Sequence, residues 1–233
     1  MERKHTFIRL LKAAVKETDL DEIRNKKRDA TKILVPFRMM LHPLGVSSEI
    51  KWEGRGSLGL ANLIALLYLI CGVLRGIAYG FVFNSGQAEN FNLWPIFVQT
   101  LGILFLWLVS SWAISSLMDG EGKLSEIWIT VCYSMMPTIL LTVPAVILSN
   151  VAVQEEAALI GLLESVMTLW SVVLLAMSTL VIQQYTLRKT IGTIFLTLLG
   201  MASIVFLLIM FFSLFQQLYI FLDTVFREVL MRM

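Results

Sequence analysis

Carboxylates in one glycine-rich loop are the side chains best suited to metal chemistry in this chain. Asp119, Glu121 and Glu126 lie close together in sequence. Carboxylate oxygens are the ligands that hard divalent cations prefer, but three carboxylates in a loop of this kind are more often solvated. We therefore expect no metal site here, and we interpret the run 119–123, which ends in Lys123, as a candidate partner-binding loop.

No signature of a catalytic site occurs in the sequence. It contains no HExxH zinc helix, no GxSxG elbow and no Walker lysine loop. The two histidines, His5 and His42, precede the first long apolar segment. Cys71 and Cys132 lack the paired spacing of metal ligands, so we interpret them as small buried apolar residues. The expectation is a protein that is not an enzyme and that carries no cofactor.

Two charged side chains lie inside long apolar segments. Arg75 is near the end of the first segment, where it can extend to lipid headgroups; a bound anion is an alternative interpretation. Glu164 lies in the fourth segment, and we expect an internal polar contact with Tyr133 and Gln99. So few ionisable groups argue against a proton-coupled transporter, which needs a relay inside the membrane.

Five apolar segments must position these side chains. They cover residues 58–79, 93–117, 127–148, 157–182 and 191–212. Each is long enough to cross ~30 Å of hydrocarbon at ~1.5 Å per residue. The chain is 57% hydrophobic, with a mean hydropathy of +0.77, which exceeds the usual content of a soluble domain. The sequence therefore predicts an all-α polytopic membrane protein, a bundle of five transmembrane helices.

Charge is distributed unevenly between the loops. Most of the basic residues precede the first span, Lys123 follows the second, and Arg188 and Lys189 follow the fourth. The loop after the third span carries Glu155 and Glu156 instead, which we interpret as an outer turn. By the positive-inside rule the N-terminus lies in the cytoplasm and the C-terminus outside.

The extramembrane parts lie at the two ends of the chain. Residues 1–56 form a basic, amphipathic region that we expect in the cytoplasm, either on the membrane surface or against the protein's own loops. Residues 57–222 contain the five spans. After a span that ends near Phe212, residues 213–233 are predicted to form an interfacial helix.

The first and third spans contain residues that shape helices in membranes. Gly72, Gly76 and Gly80 recur every four residues, so they form one stripe along which a neighbouring helix can approach closely. Pro137 and Pro144 each remove a backbone donor from the third span, which predicts a broken or kinked helix. Polar positions near that break, each a candidate for function, are Tyr133, Ser149 and Asn150.

Several short motifs resemble those of the Yip family, polytopic membrane proteins that interact with Ypt/Rab GTPases, and most closely its bacterial branch. The resemblance extends over about residues 40–220 and rests on His42-Pro43, Glu49-Ile50-Lys51, Gly56-Ser57, Trp112-Ala113, the run from Leu117-Met118 through Asp119, Gly120, Glu121, Gly122 and Lys123, Ile127-Trp128, Tyr133 with Pro137, Ser149-Asn150, and Glu155-Glu156. It implies a non-enzymatic protein of the bacterial cell membrane. Eukaryotic relatives bind small GTPases, but this chain lacks their tyrosine- and glycine-rich signature, so we do not expect a GTPase partner.

Three functions agree with these features. The leading hypothesis, which the resemblance implies, is a membrane adaptor that assists another membrane protein, such as an ABC transporter subunit. The alternative is a small-molecule or ion permease with its pathway at the break in the third span. A lipid-modifying enzyme at the 119–123 loop is the third. The expected partners are membrane lipids and a membrane protein or a second copy of the chain, not nucleic acid.

Overall fold

A computed structural model describes residues 33–80 and 92–232 of the chain. Residues 1–32, 81–91 and 233 lie outside this part, and with them the amphipathic helix predicted for the beginning of the chain. Throughout the described part the secondary structure is helical, and these residues contain no strand. The prediction of an all-α fold is confirmed.

Nine α-helices can be followed through the described residues. In chain order they are α1 (33–41), α2 (Pro43–Glu53), α3 (Leu58–Ala78), α4 (Leu93–Phe97), α5 (Ile103–Leu117), α6 (Leu124–Ser134), α7 (Met136–Val151), α8 (Ala157–Ile182) and α9 (Leu187–Arg232). A π-helical turn, Val98–Gly102, joins α4 to α5, and a 3₁₀ turn, Gln154–Glu156, precedes α8.

Five helical stretches in the described residues are long and apolar enough to cross a membrane. They are Leu58–Ala78, Leu93–Leu117, Leu124–Val151, Ala157–Ile182 and Leu187–Thr224. Each overlaps one of the five apolar segments of the sequence, although the fifth is much longer than the predicted 191–212, and the predicted polytopic helical bundle is confirmed. The third stretch, α6 with α7, is the most enclosed, with 50% of its most apolar window buried against 22% for the first two stretches.

The third span is two helices rather than one. Helix α6 ends at Ser134, Met135 forms the junction, and α7 begins at Met136 with Pro137 in its first turn. Proline is tolerated there because the first-turn N–H groups have no partner within the helix. Pro144, by contrast, lies inside α7. The break therefore falls next to the first proline.

Part of the predicted N-terminal region packs within the bundle. Val35 and Met39 of α1 and Val46 of α2 are fully buried in the same core as the spanning helices. The indole N–H of Trp170 in α8 donates to the Met40 carbonyl over 3.3 Å. Because Trp170 lies in the middle of α8, residues 33–53 extend the five-helix bundle instead of standing apart from it.

Helix α9 corrects the prediction for the C-terminal end of the chain. A separate interfacial helix was expected over 213–233, after a span ending near Phe212. The structure instead has one continuous helix from Leu187 to Arg232. No glycine or proline follows Gly200, so nothing in the sequence breaks the helix at Phe212. Its first part packs on α5, where the Ser110 hydroxyl donates to the Thr197 carbonyl over 2.7 Å.

Candidate functional site

The 119–123 loop turns sharply out of α5. Asp119 adopts the left-handed backbone region with a φ of 55°, which is uncommon for a residue with a side chain. The Gly120 N–H then donates to the Ser115 carbonyl over 2.8 Å and closes the end of the helix. This is the pattern by which helix ends satisfy their last carbonyl groups.

The two glycines of the loop lie against the connection between α8 and α9. Gly122 donates its N–H to Oε1 of Gln183 over 3.0 Å, and the Gln183 side chain is buried. A Cβ atom at Gly120 would overlap the Gln183 amide and lie 2.5 Å from the Tyr185 hydroxyl. The loop can approach this connection only because both positions lack a side chain.

Lys51 of α2 joins this loop to α6. Its ammonium donates to the Glu121 carbonyl over 2.5 Å and lies 3.4 Å from Oε2 of Glu126. The same oxygen accepts the N–H of Lys123 over 3.2 Å. The side chains of Lys51 and Glu126 are only 8% and 14% exposed. We call Lys51, Glu121, Gly122, Glu126 and Gln183 the Lys51 cluster; it ties α2, the loop, α6 and the end of α8 together.

Glu49 forms a second charged group near the Lys51 cluster. Its carboxylate accepts from Arg38 over 2.9 Å and from Arg55 over 3.1 Å. Although burial by itself raises the pKa of the Glu49 carboxyl, the two guanidinium groups hold that pKa below its usual value. Glu49 therefore stays charged and fixes α1 against α2.

Tyr133 is fully buried, and it bonds to the chain that enters the first span. Its hydroxyl lies 3.4 Å from the Ser57 nitrogen and 3.5 Å from the Ser57 oxygen, with the N–H donating to Oη and Oη donating to the carbonyl. The expected contact between Tyr133 and Glu164 is wrong, because the two residues bond to different partners at different places in the bundle. Gln99 and Glu164 line the same cavity, on different helices.

Ser149 and Asn150 bond to the end of α3. The Gly80 N–H donates to the Ser149 hydroxyl over 3.0 Å, and the Asn150 amide donates to the Ala78 carbonyl over 2.7 Å. The Asn150 amide thus satisfies one of the carbonyl groups that the end of α3 leaves without a helical partner, and the Ser149 hydroxyl accepts from the backbone just beyond it. A Cβ atom at Gly80 would overlap the Ser149 carbonyl.

The glycine stripe of α3 faces neighbouring helices of the same chain. A Cβ atom at Gly72 would lie 3.1 Å from Cγ2 of Thr100, in the π-helical turn. Gly80 meets the end of α7, and Gly76, between them, lines a cavity. The stripe therefore lets α4, the π-helical turn and α7 approach α3 closely within one molecule.

A cavity of about 430 Å³ opens between α3, the π-helical turn, α7 and α8, at the opposite end of the bundle from the Lys51 cluster. Its lining comes from four places: Tyr68, Cys71, Gly72, Arg75, Gly76 and Tyr79 on or just after α3; Ile96, Gln99, Thr100 and Ile103 around the π-helical turn; Thr138 and Thr142 on α7; and Glu164 on α8. Its size is in the range of small-molecule binding sites.

An ion pair borders this cavity. The Arg75 guanidinium lies 2.5 Å from Oε1 of Glu164, and the Tyr79 hydroxyl donates to the same oxygen over 2.6 Å. The side chains of Arg75 and Glu164 are 33% and 40% exposed. The pair thus presents a positive and a negative group to the cavity side by side. We call Arg75, Tyr79 and Glu164 the Arg75 site.

In the part of the chain that the structure describes, no three metal-ligating side chains come together. Of the three carboxylates in and after the 119–123 loop, Glu126 pairs with Lys51. Glu155 and Glu156 lie in the 3₁₀ turn before α8, and Glu156 accepts the Val153 N–H over 3.3 Å.

Comparison with protein families places the chain. The model of the Yip1 domain matches residues 37–210, about three quarters of the sequence. The chain belongs to the Yip1 domain family. No curated protein and no solved structure shows a significant match to it.

In this Yip1-domain protein the family match covers both the Lys51 cluster and the Arg75 site. It begins within α1 and ends at residue 210, inside α9. The second half of α9 therefore lies outside the region that the family model describes.

The sequence alone did not indicate several residues in or beside the two sites. Gln183 and Tyr185 escaped notice because they follow the fourth apolar segment and carry no motif. Tyr79 was counted only as the end of a span. One signal was available: Arg75 and Glu164 are isolated charges of opposite sign in separate spans, and burial favours their pairing.

Proposed function

We propose that this Yip1-domain protein is a non-enzymatic membrane adaptor that assists another integral membrane complex. The candidate complex is an ABC transport system, and the candidate location is the bacterial cell membrane. Small GTPases are not the partner we propose.

The length and exposure of α9 carry this proposal. The apolar stretch Leu187–Thr224 has 38 residues, which correspond to ~57 Å of helix, nearly twice the ~30 Å of the hydrocarbon layer. Only 6% of its most apolar window is buried. Beyond Gly200, large apolar side chains such as Phe206, Phe215 and Phe221 are exposed. One crossing of the bilayer leaves part of this apolar surface outside the hydrocarbon layer. The helices of a partner protein would cover that part.

Polar residues in the same half of α9 support a protein partner. Gln216 and Gln217 are exposed among apolar neighbours. An amide side chain without a hydrogen-bond partner is unfavourable in lipid, and glutamines on spanning helices bond to polar groups on other helices. Two adjacent glutamines therefore suit a protein surface better than acyl chains.

Photocrosslinking from α9 in the native membrane tests the proposal. A photoreactive amino acid is placed at Phe206 or Phe215, on the exposed half of α9, and crosslinked products are identified by mass spectrometry. We expect the same ABC transporter subunit from both positions. Leu63, exposed on α3, is the matched control and should give no crosslink to that subunit.

Other products would contradict the adaptor function. Crosslinks only between copies of this chain would make α9 a homo-oligomer interface. Crosslinks to lipid alone would show that the exposed half of α9 faces acyl chains and not a protein partner.

The distribution of charge supports a cytoplasmic N-terminus. Lys123, Arg188 and Lys189 lie at the end of the bundle that holds the Lys51 cluster, whereas Glu155 and Glu156 lie at the other end. This asymmetry agrees with the positive-inside rule and would put the Lys51 cluster in the cytoplasm and the Arg75 site on the outer side.

The cavity favours a second candidate function, a small-molecule or ion permease. That function requires a cavity reaching Glu164, and the cavity between α3, α7 and α8 does so. Flux of a solute across vesicles that contain the purified protein alone would support it. An adaptor without its partner should give no flux.

A further inference from the structure

The Arg75 site differs from the ion pairs of Lys51 and Glu49 because it borders a cavity of about 430 Å³. Lys51 and Glu126 are nearly enclosed by protein, and the Glu49 pairs lie in the connection before α3. Arg75 and Glu164 instead share the cavity wall with hydroxyl and amide side chains, Thr138 and Gln99 among them. Opposite charges and hydrogen-bonding groups thus surround one space large enough for a ligand.

The charge arrangement selects the ligand's chemistry. A guanidinium has five N–H donors and a carboxylate has two acceptor oxygens, so Arg75 and Glu164 can each bind a ligand while they stay paired. Glu164 lies 2.5 Å from Arg75, so a ligand with only negative charge would be attracted by Arg75 and repelled by Glu164. A ligand carrying both charges can align against the pair, so that each of its charges faces an opposite one.

The position of the site along the helices indicates a lipid. Arg75 lies three residues before the end of α3, and Glu164 lies seven residues after the start of α8. At ~1.5 Å per residue, both are roughly 5–10 Å inside the helix ends. This is the depth at which headgroups meet acyl chains when the helices cross a bilayer. Deeper in the bundle the cavity wall includes the apolar side chain of Ile103.

We propose that the cavity binds the headgroup of a phospholipid that carries both a phosphate and a primary ammonium, as phosphatidylethanolamine does. Arg75 binds the phosphate, because guanidinium groups form strong paired hydrogen bonds to phosphate oxygens. Glu164 binds the ammonium, and Tyr79 orients the carboxylate through its hydroxyl. A choline headgroup has no N–H to donate and should bind less well.

This inference does not rest on the adaptor function. Lipid binding is measured on the isolated protein, without a partner and without transport. A negative result for either proposal therefore leaves the other standing.

Lipid titration followed by native mass spectrometry tests the proposal. Purified full-length protein in mild detergent is titrated with phosphatidylethanolamine, phosphatidylcholine or phosphatidylglycerol. We expect one phosphatidylethanolamine to bind about tenfold more tightly than either other lipid. Glu164→Gln should remove this preference, whereas Glu155→Gln, a change of equal charge outside the cavity, should retain it. Equal binding of the three lipids, or equal loss in both variants, would overturn the proposal.

A second variant guards against misfolding. Arg75→Glu combined with Glu164→Arg keeps an ion pair, and its folding is checked by thermal unfolding. The reversed pair should still fold, because the ion pair is kept. In the lipid the phosphate is next to the glycerol and the ammonium is at the far end of the headgroup, so each charge would face a like charge in the reversed variant. This variant should therefore lose the preference for phosphatidylethanolamine. A folded reversed variant that still prefers phosphatidylethanolamine would show that the two side chains do not read the headgroup.

Soluble phosphoethanolamine distinguishes a lipid from a free zwitterion. Phosphoethanolamine is added at the concentration at which phosphatidylethanolamine saturates the protein. It should not displace the bound lipid, because it lacks acyl chains. Displacement at equal concentration would identify a soluble zwitterion as the ligand and would overturn the lipid assignment.

Discussion

The two ends of the bundle use the same chemistry for opposite results. At one end, Lys51 and Glu126 are almost completely enclosed, and the glycines of the 119–123 loop bring backbone against Gln183. At the other, Arg75 and Glu164 lie closer together, at 2.5 Å against 3.4 Å, but border a cavity of about 430 Å³. The Lys51–Glu126 pair holds helices together, whereas the Arg75–Glu164 pair is accessible from the cavity.

Enclosure, more than pair distance, separates the two roles. A pair that protein surrounds has lost its water, so each charge depends on the other. A pair beside a cavity can be reached by water or by a ligand. Removing charge at each end should therefore have different effects, and the following variants measure this difference.

The largest effect is expected for Lys51→Met. It leaves the Glu126 carboxylate without its cation and the Glu121 carbonyl without its donor, which should lower stability by about 3 kcal/mol. Thermal unfolding in detergent, followed by tryptophan fluorescence, measures the change. Adding Glu126→Gln should restore part of the loss. An unchanged Tm in the single variant would mean that the Lys51 cluster does not hold this end together.

A smaller loss is expected for Gly120→Ala. The new methyl group would overlap the Gln183 amide, which is buried and bonded to Gly122, so we expect a loss of about 2 kcal/mol. Gly161→Ala in α8 is the matched control, since a Cβ atom there meets no atom within 4 Å. Equal Tm values for the two variants would contradict the close packing of the loop.

Arg75→Gln should change stability by about 1 kcal/mol or less, because the Glu164 side chain is 40% exposed beside a cavity and can be hydrated there. The same unfolding measurement applies. If Arg75→Gln destabilises the protein as much as Lys51→Met, the distinction between an enclosed and an accessible pair fails.

The smallest effect on stability is expected when the pH is lowered. Because the guanidinium groups of Arg38 and Arg55 hold the pKa of Glu49 below its usual value, the stability that this carboxylate contributes is complete above the usual value and disappears as the pH falls through the lowered one. Wild-type protein should therefore lose more Tm on acidification than Glu49→Gln does. Parallel Tm curves against pH would show that Glu49 does not fix α1 against α2.

Hydropathy was sufficient to predict the spanning helices, because the membrane imposes their length and composition. The end of α9 was mispredicted for the same reason: bilayer thickness suggested a stop at Phe212, but a helix without glycine or proline continues. The two prolines also predicted a broken or kinked third span, but they did not show that the break lies beside Pro137 and not at Pro144.

The contacts between helices could not be predicted in this way. Lys51 bonds to the backbone of Glu121, 70 residues away, and a backbone acceptor leaves no trace in sequence. Glu164 was assigned to Tyr133 because both are polar residues in spans. Which polar side chain meets which depends on the order of helices around the bundle, and this order places Arg75 and Tyr79 beside Glu164.

The junction at Met135 separates the third span into two helices that belong to different sites. Helix α6 contributes Glu126 to the Lys51 cluster, and α7 contributes Thr138 and Thr142 to the cavity wall. Among the described residues the Lys51 cluster and the Arg75 site have no side chain in common, so free-energy changes should be additive when one substitution is made at each. The protein can thus change its ligand site without loosening the end that holds its helices together.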